Sequence, residues 1–341
     1  MVVTSAVSIR LLASKTLNQL CCWTSYALSL FGVVRVRHLP SFVSVEPANF
    51  CQLRCPECPV GMASRLSHLA PSPNRLMTME LFHRILDNVK KASHTMQFYF
   101  QGEPLLNKQL PEMITAAHKV GLYTIVSTNA QALNRSMAEA LVKSGLNHII
   151  VSIDGFSEES YTVYRVGGSL HKALEGLQHL ANAKAVFHSR IRIELQVLRL
   201  KSNEHEWQWI KKNYKKLGAT HLVFKTAQLY NFEHGHPLMP SDERYSRYKK
   251  TADGTYIHKK SSRLSPLTLN LSPCRRLWSG CVITTNGDVL PCCYDKEHKH
   301  VLGNITTQSI SEIFHSKKAH QLREQILHNK AVPMMCHNCD H

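Results

Sequence analysis

Three cysteines fall within eight residues, Cys51-Gln-Leu-Arg-Cys55-Pro-Glu-Cys58. A thiolate is a soft ligand, so a triplet this close is a metal-binding pattern before it is anything else. A structural zinc site takes four ligands, usually in CxxC pairs, and no fourth Cys or His follows before His68. Three thiolates on a cubane 4Fe–4S cluster leave one iron open to bind and activate a further ligand. The spacing therefore favours such a cluster over zinc.

A second set stands at the other end of the chain: Cys274, Cys281, Cys292, Cys293, Cys336 and Cys339. Seventeen residues separate Cys274 from Cys292, and Cys336-His-Asn-Cys339 is a CxxC pair. These four thiolates suit one zinc and one iron–sulfur cluster equally. Cys281 and Cys293 are not placed by the pattern. Cys281 reads as a small buried residue on a hairpin, with an extra ligand or an acid–base thiol as the alternatives. Cys21 and Cys22 read as buried apolar residues, not ligands. Eleven cysteines, an odd count in tight clusters along 341 residues, exclude a small secreted disulfide scaffold. Reduced thiols in a cytosolic protein are the better reading.

These loops need elements to carry them. Runs rich in Val, Ile, Phe and Tyr predict strands at Ser41–Glu46, Thr95–Gln101, Tyr123–Thr128, His148–Ile153, Ile191–Val197 and Thr220–Lys225. Leucines and alanines at three- and four-residue spacing predict helices near 78–92, 108–120, 134–145, 168–186 and 204–217. Gly121, Gly145 and Gly218 follow helices, where a left-handed cap is wanted. This alternation is the pattern of βαβ units on a parallel sheet, either a partial barrel or an open doubly wound sheet. Active sites of such sheets lie at the carboxyl ends of the strands, where the three-cysteine loop falls.

Over about residues 45–230 the chain resembles the radical S-adenosylmethionine (radical SAM) enzymes. The resemblance implies an α/β fold with a partial (β/α)6 TIM-like barrel. It also implies that Cys51, Cys55 and Cys58 hold a 4Fe–4S cluster whose open iron chelates S-adenosylmethionine. One electron then cleaves the sulfonium, and the 5′-deoxyadenosyl radical abstracts hydrogen from substrate. Gly102-Glu103-Pro104 resembles the family's glycine-rich strand end, with Glu103 near the methionyl amino group; alone it would be a plain turn. Ser127-Thr128-Asn129 resembles Thr-Asn-Gly in part, since Ala130 stands third. Ser152-Ile153-Asp154-Gly155 resembles Ser-Ile-Asp-Gly, where Ser152 and Asp154 would contact ribose or methionyl carboxylate. The alternative for Asp154 is to cap the helix beginning near Glu158. Glu194 or Gln196, together with Lys225, point to the same face as candidate catalytic groups, or form an ion pair inside the barrel. The family often carries an aromatic residue before its third cysteine. Glu57 stands there, so adenine has to be packed from elsewhere.

At the other end, NGDVLPCCYD, then VLGNI, a helix and CxxC resemble the C-terminal SPASM extension of these enzymes, and the 17-residue gap fits its shorter, single-cluster twitch form. This implies one auxiliary 4Fe–4S cluster on Cys274, Cys292, Cys336 and Cys339. A hairpin turning at Asn286-Gly287 and a helix over about Ser309–Leu327 are predicted between them. The two resemblances cover about 250 of the 341 residues, and the whole chain is similar to a group of bacterial radical SAM/SPASM proteins.

The predicted organisation is an N-terminal helical segment (1–40), a barrel (41–232), a connector (233–272) and a small iron–sulfur domain (273–341). Residues 1–40 contain no Asp or Glu, and their apolar run 20–34 is only 15 residues long, short of a bilayer span. They read as an amphipathic helix on the protein body or on a membrane face. The run ERYSRYKK (243–250) reads as a solvated linker helix rather than a nucleic-acid patch. A composition with 43% hydrophobic and 19% charged residues excludes wholesale disorder, and a net charge of +17 suits acidic partners.

The expected function is radical oxidation or rearrangement of an organic substrate, with a small, sugar-like or lipid-linked molecule favoured by the cysteine count. A peptide maturase is the alternative, and a zinc-stabilised binding protein is the third reading. A one-electron donor such as flavodoxin or ferredoxin is implied. The expected location is cytoplasmic, with peripheral membrane contact through residues 1–40.

Overall fold

The computed structural model describes residues 9–62, 75–259, 274–328, 333–337 and 339. Strands β1 (Phe42–Val45), β2 (Thr95–Phe98), β3 (Tyr123–Thr128), β4 (His148–Ser152), β5 (Arg192–Arg199) and β6 (His221–Thr226) lie where the apolar runs predict them. Each pairs with the next in parallel. Helices alternate with them: α1 (Ile9–Ser29) and α2 (Pro59–Met62), then α3 (Met79–Val89), α4 (Leu110–Lys119), α5 (Arg135–Lys143), α6 (Glu158–Tyr164), α7 (Leu170–Val186) and α8 (Trp207–Asn213). Thr78, Asn134, Ser157 and Ser169 cap α3, α5, α6 and α7 by accepting a backbone N–H of the first turn. Gly121, Gly145 and Gly218 take positive φ after helices, as their positions predict. The core fills the space between strands and helices, with Val43, Phe82, Phe98, Ile149, Leu177 and Leu195 all inaccessible to solvent.

The C-terminal region does not stand apart. After α9 (Arg275–Ser279), β9 (Gly280–Ile283) pairs in parallel with β1, Phe42 opposite Gly280 and Val45 opposite Ile283. Strands β10 (Asp288–Leu290) and β11 (Gly303–Asn304) continue antiparallel from it, so one nine-stranded sheet runs β11-β10-β9-β1-β2-β3-β4-β5-β6. The hairpin predicted at Asn286-Gly287 is present, with Gly287 at φ 84°. The predicted single helix over 309–327 is two, α10 (Ile310–Phe314) and α11 (Lys317–Leu327). The break falls at Ser316, whose side chain caps α11 by accepting the Ala319 N–H.

The connector differs from its expectation more sharply. ERYSRYKK is no helix. It forms a short turn at Glu243–Tyr245 and then β7 (Tyr248–Lys250), which pairs with β8 (Tyr256–His258). Tyr248 is fully buried; its hydroxyl bonds both the N–H and the C=O of Leu229, and its ring stacks on Phe232 at 4.1 Å. A buried aromatic anchor outweighs the local helical preference. The connector's residues 260–272 lie outside the described residues.

Helix α1 is longer than the apolar run predicts and begins before it. It closes the amino-terminal end of the barrel. Lys15 Nζ donates to the carbonyls of Val120 and Gly121, just ahead of β3, at 2.9 and 3.0 Å. Asn18 reaches the carbonyls of Leu39 and Ala92, ahead of β1 and β2. Cys22 is buried and Cys21 half-buried.

Burial lowers the Lys15 pKa from 10.5 to about 8. Between those values the unfolded chain holds more protons than the folded one, so stability rises with pH across the window, by at most about 1.4 kcal/mol per pH unit. A Lys15→Met protein loses that rise. Urea midpoints of both proteins from pH 8 to 10.5 check it; the same rise in both would refute it.

Candidate functional site

The three-cysteine loop leaves the carboxyl end of β1 and is held from two sides. Arg54 N–H donates to the Val166 carbonyl at 2.9 Å, which ties it to the turn after α6. Glu103 N–H donates to the Phe50 carbonyl at 2.9 Å, which ties it to the end of β2. Within the loop, Cys58 N–H bonds the Cys55 carbonyl, and α2 starts immediately after. Cys55 is buried; Cys51 and Cys58 are half-buried. Gly102 is needed beside this loop, because a Cβ there would lie 2.2 Å from the Ala48 carbonyl oxygen.

Two polar groups face the thiols. Asn129 Nδ2, from the end of β3, lies 3.3 Å from Cys51 Sγ. Arg165 Nη1, past the end of α6, lies 3.9 Å from Cys55 Sγ. The N–H of Leu53 also points at Cys51 Sγ, 3.4 Å away. Burial pushes the Cys51 thiol up to about 12 and raises Cys55 as well, with Arg165 opposing the rise at Cys55. Neighbouring cysteines raise one another, so this is a set that wants a cation to accept its charge. Among the described residues, no three Cys, His, Asp or Glu side chains converge on a point as one metal ion would require. A multi-iron cluster takes each thiolate on a separate iron, and the three-thiol donor set fits it.

Glu103 is completely enclosed. Its carboxylate accepts from Thr128 Oγ1 at 2.6 Å, Asn129 N–H at 2.9 Å and Leu105 N–H at 3.2 Å. Burial raises its pKa against those donors. Pro104 opens a short 3-10 turn behind it. Thus Glu103, Thr128 and Asn129 form one unit that joins the ends of β2 and β3 and presents the Asn129 amide to Cys51. Ser152 is buried at the end of β4.

Asp154 does not cap α6. Ser157 does, with Ser160 completing a capping box. Asp154, inaccessible to solvent, accepts the Leu198 N–H at 2.6 Å and pairs with Arg165 Nη2 at 2.7 Å. Arg165 so links the Asp154 carboxylate to the Cys55 thiol. Sequence reasoning did not single out this arginine. The consecutive Gly167-Gly168 after it signal a turn, but its burial exists only in the folded chain.

The candidate catalytic groups fall elsewhere. Glu194 is bound by Arg192 Nη2 at 2.9 Å and lies 3.2 Å from His148 Nε2, an ion pair with partners other than the expected Lys225. Arg192 and His148 open β5 and β4, so Glu194 is turned away from the strand ends it was expected to serve. Gln196 sits opposite Ser152 in the register and bonds Ile153 N–H through its backbone carbonyl. Lys225 lies next to last in β6, its pKa lowered by partial burial against the field of Glu194. Cys281 is in the main core on β9, its thiol pushed up to about 12 by burial, and reaches no site. Glu57 is committed as well: it accepts the Tyr230 N–H at 2.6 Å and lies 3.3 Å from His236 Nε2. The loop after β6 therefore closes over the third cysteine, where an aromatic neighbour was lacking.

The second set gathers beside the barrel. Cys274 precedes α9, Cys292 follows β10, and Cys336 ends a 3-10 turn whose carbonyl accepts the Cys339 N–H at 3.3 Å. Arg276 feels Cys292, Cys293 and Cys339, and its Nη1 lies 3.1 Å from Cys293 Sγ. A hydrogen bond from Cys292, together with Arg276, lowers the Cys293 thiol below its ordinary value. Cys293, unplaced by its spacing, is thus the arginine-held neighbour of the set.

Two family models match the chain, each over a stretch that contains one group of cysteines. The Radical SAM superfamily matches residues 45–191, and the SPASM iron–sulfur cluster-binding domain matches residues 274–340. The chain is 27% identical over 209 residues to a PqqA peptide cyclase of Granulibacter bethesdensis, covering 60% of this chain and 52% of that one. It is 30% identical over 129 residues to an Fe-coproporphyrin III synthase of Methanosarcina barkeri, covering 38% of this chain and 31% of that one. The matched stretches are thus about half or less of these relatives' own lengths. Among solved structures, the crystal structure of BtrN in complex with AdoMet and 2-DOIA superposes with a TM-score of 0.52 at 18% identity, over 90% of this chain and 95% of that one. That likeness is one of fold.

Proposed function

The chain is a radical SAM protein with a C-terminal SPASM domain, and from that premise we propose that it is an enzyme oxidising or rearranging an organic substrate by hydrogen abstraction. One observation carries the reading: Cys51, Cys55 and Cys58 leave one strand end, with the Asn129 amide on Cys51 and the Arg165 guanidinium on Cys55. A radical SAM domain implies a 4Fe–4S cluster and S-adenosylmethionine, and a SPASM domain implies auxiliary iron–sulfur binding. When bound, a 4Fe–4S cluster with an open iron supplies the electron that cleaves S-adenosylmethionine and yields the abstracting 5′-deoxyadenosyl radical.

The protein's own residues hold and shield this chemistry. Cys51, Cys55 and Cys58 are the ligands of the first cluster. Gly102 keeps the end of β2 close to the loop, while Glu103, with Thr128, fixes Asn129 beside the Cys51 thiolate. Pro104 supports Glu103. Ser152 and Asp154 close the far side, Asp154 acting through Arg165. Cys274, Cys292, Cys336 and Cys339 are the auxiliary ligands. Electrons come from a one-electron carrier of the flavodoxin or ferredoxin class.

For the substrate, the PqqA peptide cyclase relative moves the reading from the small molecule favoured by the cysteine count to a peptide. A small molecule, favoured by the cysteine count, is the second reading. Deuterium carried from a labelled peptide into 5′-deoxyadenosine would establish the first; transfer only from small molecules would establish the second.

The cluster assignment has its own test. The anaerobically reconstituted chain should hold about eight irons and eight sulfides. Cys339→Ala should hold about four and still release 5′-deoxyadenosine. Loss of 5′-deoxyadenosine formation together with the first cluster's signal would mean that the ligand sets are exchanged. Zinc without iron would remove the radical reading altogether.

A further inference from the structure

Helix α1 is inside out. On a water-exposed helix the apolar face turns to the core and the polar face to solvent. Here Lys15, Asn18, Cys22, Ser25 and Ser29, spaced by three and four residues, face the barrel, and all but half-buried Asn18 are buried. Outward stand Ile9 (85% exposed), Leu17 (64%), Leu20 (49%), Trp23 (55%) and, just beyond the helix, Phe31 (81%). Lys15 and Asn18 bond the barrel's loop carbonyls, whereas Ser25 and Ser29 bond back to the Cys21 and Tyr26 carbonyls of α1 itself, so Lys15 and Asn18 fix the orientation. A contiguous apolar stripe of this kind on a protein surface marks a contact.

Charge selects the partner. No Asp or Glu occurs between residues 9 and 45. Arg10 lies on α1, Arg35 and Arg37 follow its end in the chain, and Lys91 and Arg275 lie beside it, all exposed; the Lys91 carbonyl accepts from Ser14 of α1, and Arg275 lines one hollow with Trp23. Pairing two such faces from two copies would bring cations against cations. An anionic phospholipid leaflet takes both features, because apolar side chains enter the acyl boundary, Trp sits at the headgroup level, and arginines meet phosphates. No described helix is long and apolar enough to cross a membrane, so the helix would lie in the surface.

We propose that α1 seats the protein on an anionic membrane surface through Leu17, Leu20, Trp23 and the flanking arginines, with the cysteine loop directed away from the bilayer. The direction follows from topology. Helix α1 closes the end where β1, β2 and β3 begin, and the cysteines lie where β1 ends. A six-residue strand separates the two ends by about 20 Å. The substrate then arrives from the aqueous side, which speaks against a lipid-embedded one. The proposal does not depend on the radical chemistry.

Flotation of the full chain with vesicles of phosphatidylcholine plus phosphatidylglycerol, and of phosphatidylcholine alone, tests it. The protein should float with the anionic vesicles and be released by salt. A Leu17→Ser, Leu20→Ser, Trp23→Ser triple variant should lose at least about tenfold in partitioning, with its unfolding midpoint and 5′-deoxyadenosine formation unchanged. A second variant, Arg35→Glu with Arg37→Glu, keeps the apolar face whole and should lose the preference for anionic lipid. Absence of flotation, or equal flotation of wild type and triple variant, would overturn the proposal. So would a wild-type dimer that the triple variant turns into a monomer, since the stripe would then be an interface between copies.

Discussion

Replacing Cys55 by alanine should abolish 5′-deoxyadenosine formation, down to the level without enzyme. The thiol is the buried member of the triplet, and Arg165 faces it at 3.9 Å. Two remaining thiolates cannot hold three corners of a cubane, and no other Cys or His lies on this loop to replace the third. Removing one small buried side chain also leaves a modest cavity, so a loss of folding must be told apart from a loss of chemistry. Cys58→Ser separates them: that residue is half-buried, and its hydroxyl keeps the volume while losing the soft ligand. Both variants should retain about four irons, those of the C-terminal set. Persistent formation of 5′-deoxyadenosine by Cys55→Ala would show that the triplet does not carry the reaction.

The second large effect is on stability. Arg165→Met leaves the carboxylate of Asp154 in the interior with one backbone N–H and no counter-charge. An unpaired buried charge costs about 3–5 kcal/mol, because desolvation is no longer offset by the ion pair. Asp154→Asn combined with Arg165→Met removes both charges and should recover a large part of that loss. Urea denaturation of the single and double variants measures it. A single variant within about 0.5 kcal/mol of wild type would mean that the pair contributes nothing to holding the turn after α6 against the cysteine loop. Because Val166 accepts from Arg54, the single variant should also bind iron less completely than its residual fold would suggest.

Both effects depend on one region, yet its residues were not equally visible beforehand. Cys51, Cys55 and Cys58 declare themselves through spacing, since ligand chemistry is local and three thiolates in eight residues have few other uses. The six parallel strands were equally plain, because β-branched and aromatic runs followed by helix-ending glycines are properties of short segments. Arg165 was passed over, because its importance rests on Asp154 and Cys55, which lie 11 and 110 residues away in sequence.

The sequence by itself thus determined the chemistry-bearing loop, the positions of strands β1 to β6, and the clustering of the cysteines into two groups. All are written in patterns a few residues long. Tertiary structure alone decided that β9 would join β1, that Tyr248 would turn the connector into a hairpin, and that Glu194 would be spent on Arg192 and His148. It also decided that α1 would turn its polar face inward, where the carbonyls ahead of β1, β2 and β3 accept from Lys15 and Asn18. Local pattern records which face of a helix is apolar. Only the assembled barrel supplies the acceptors that make the polar face the one to bury.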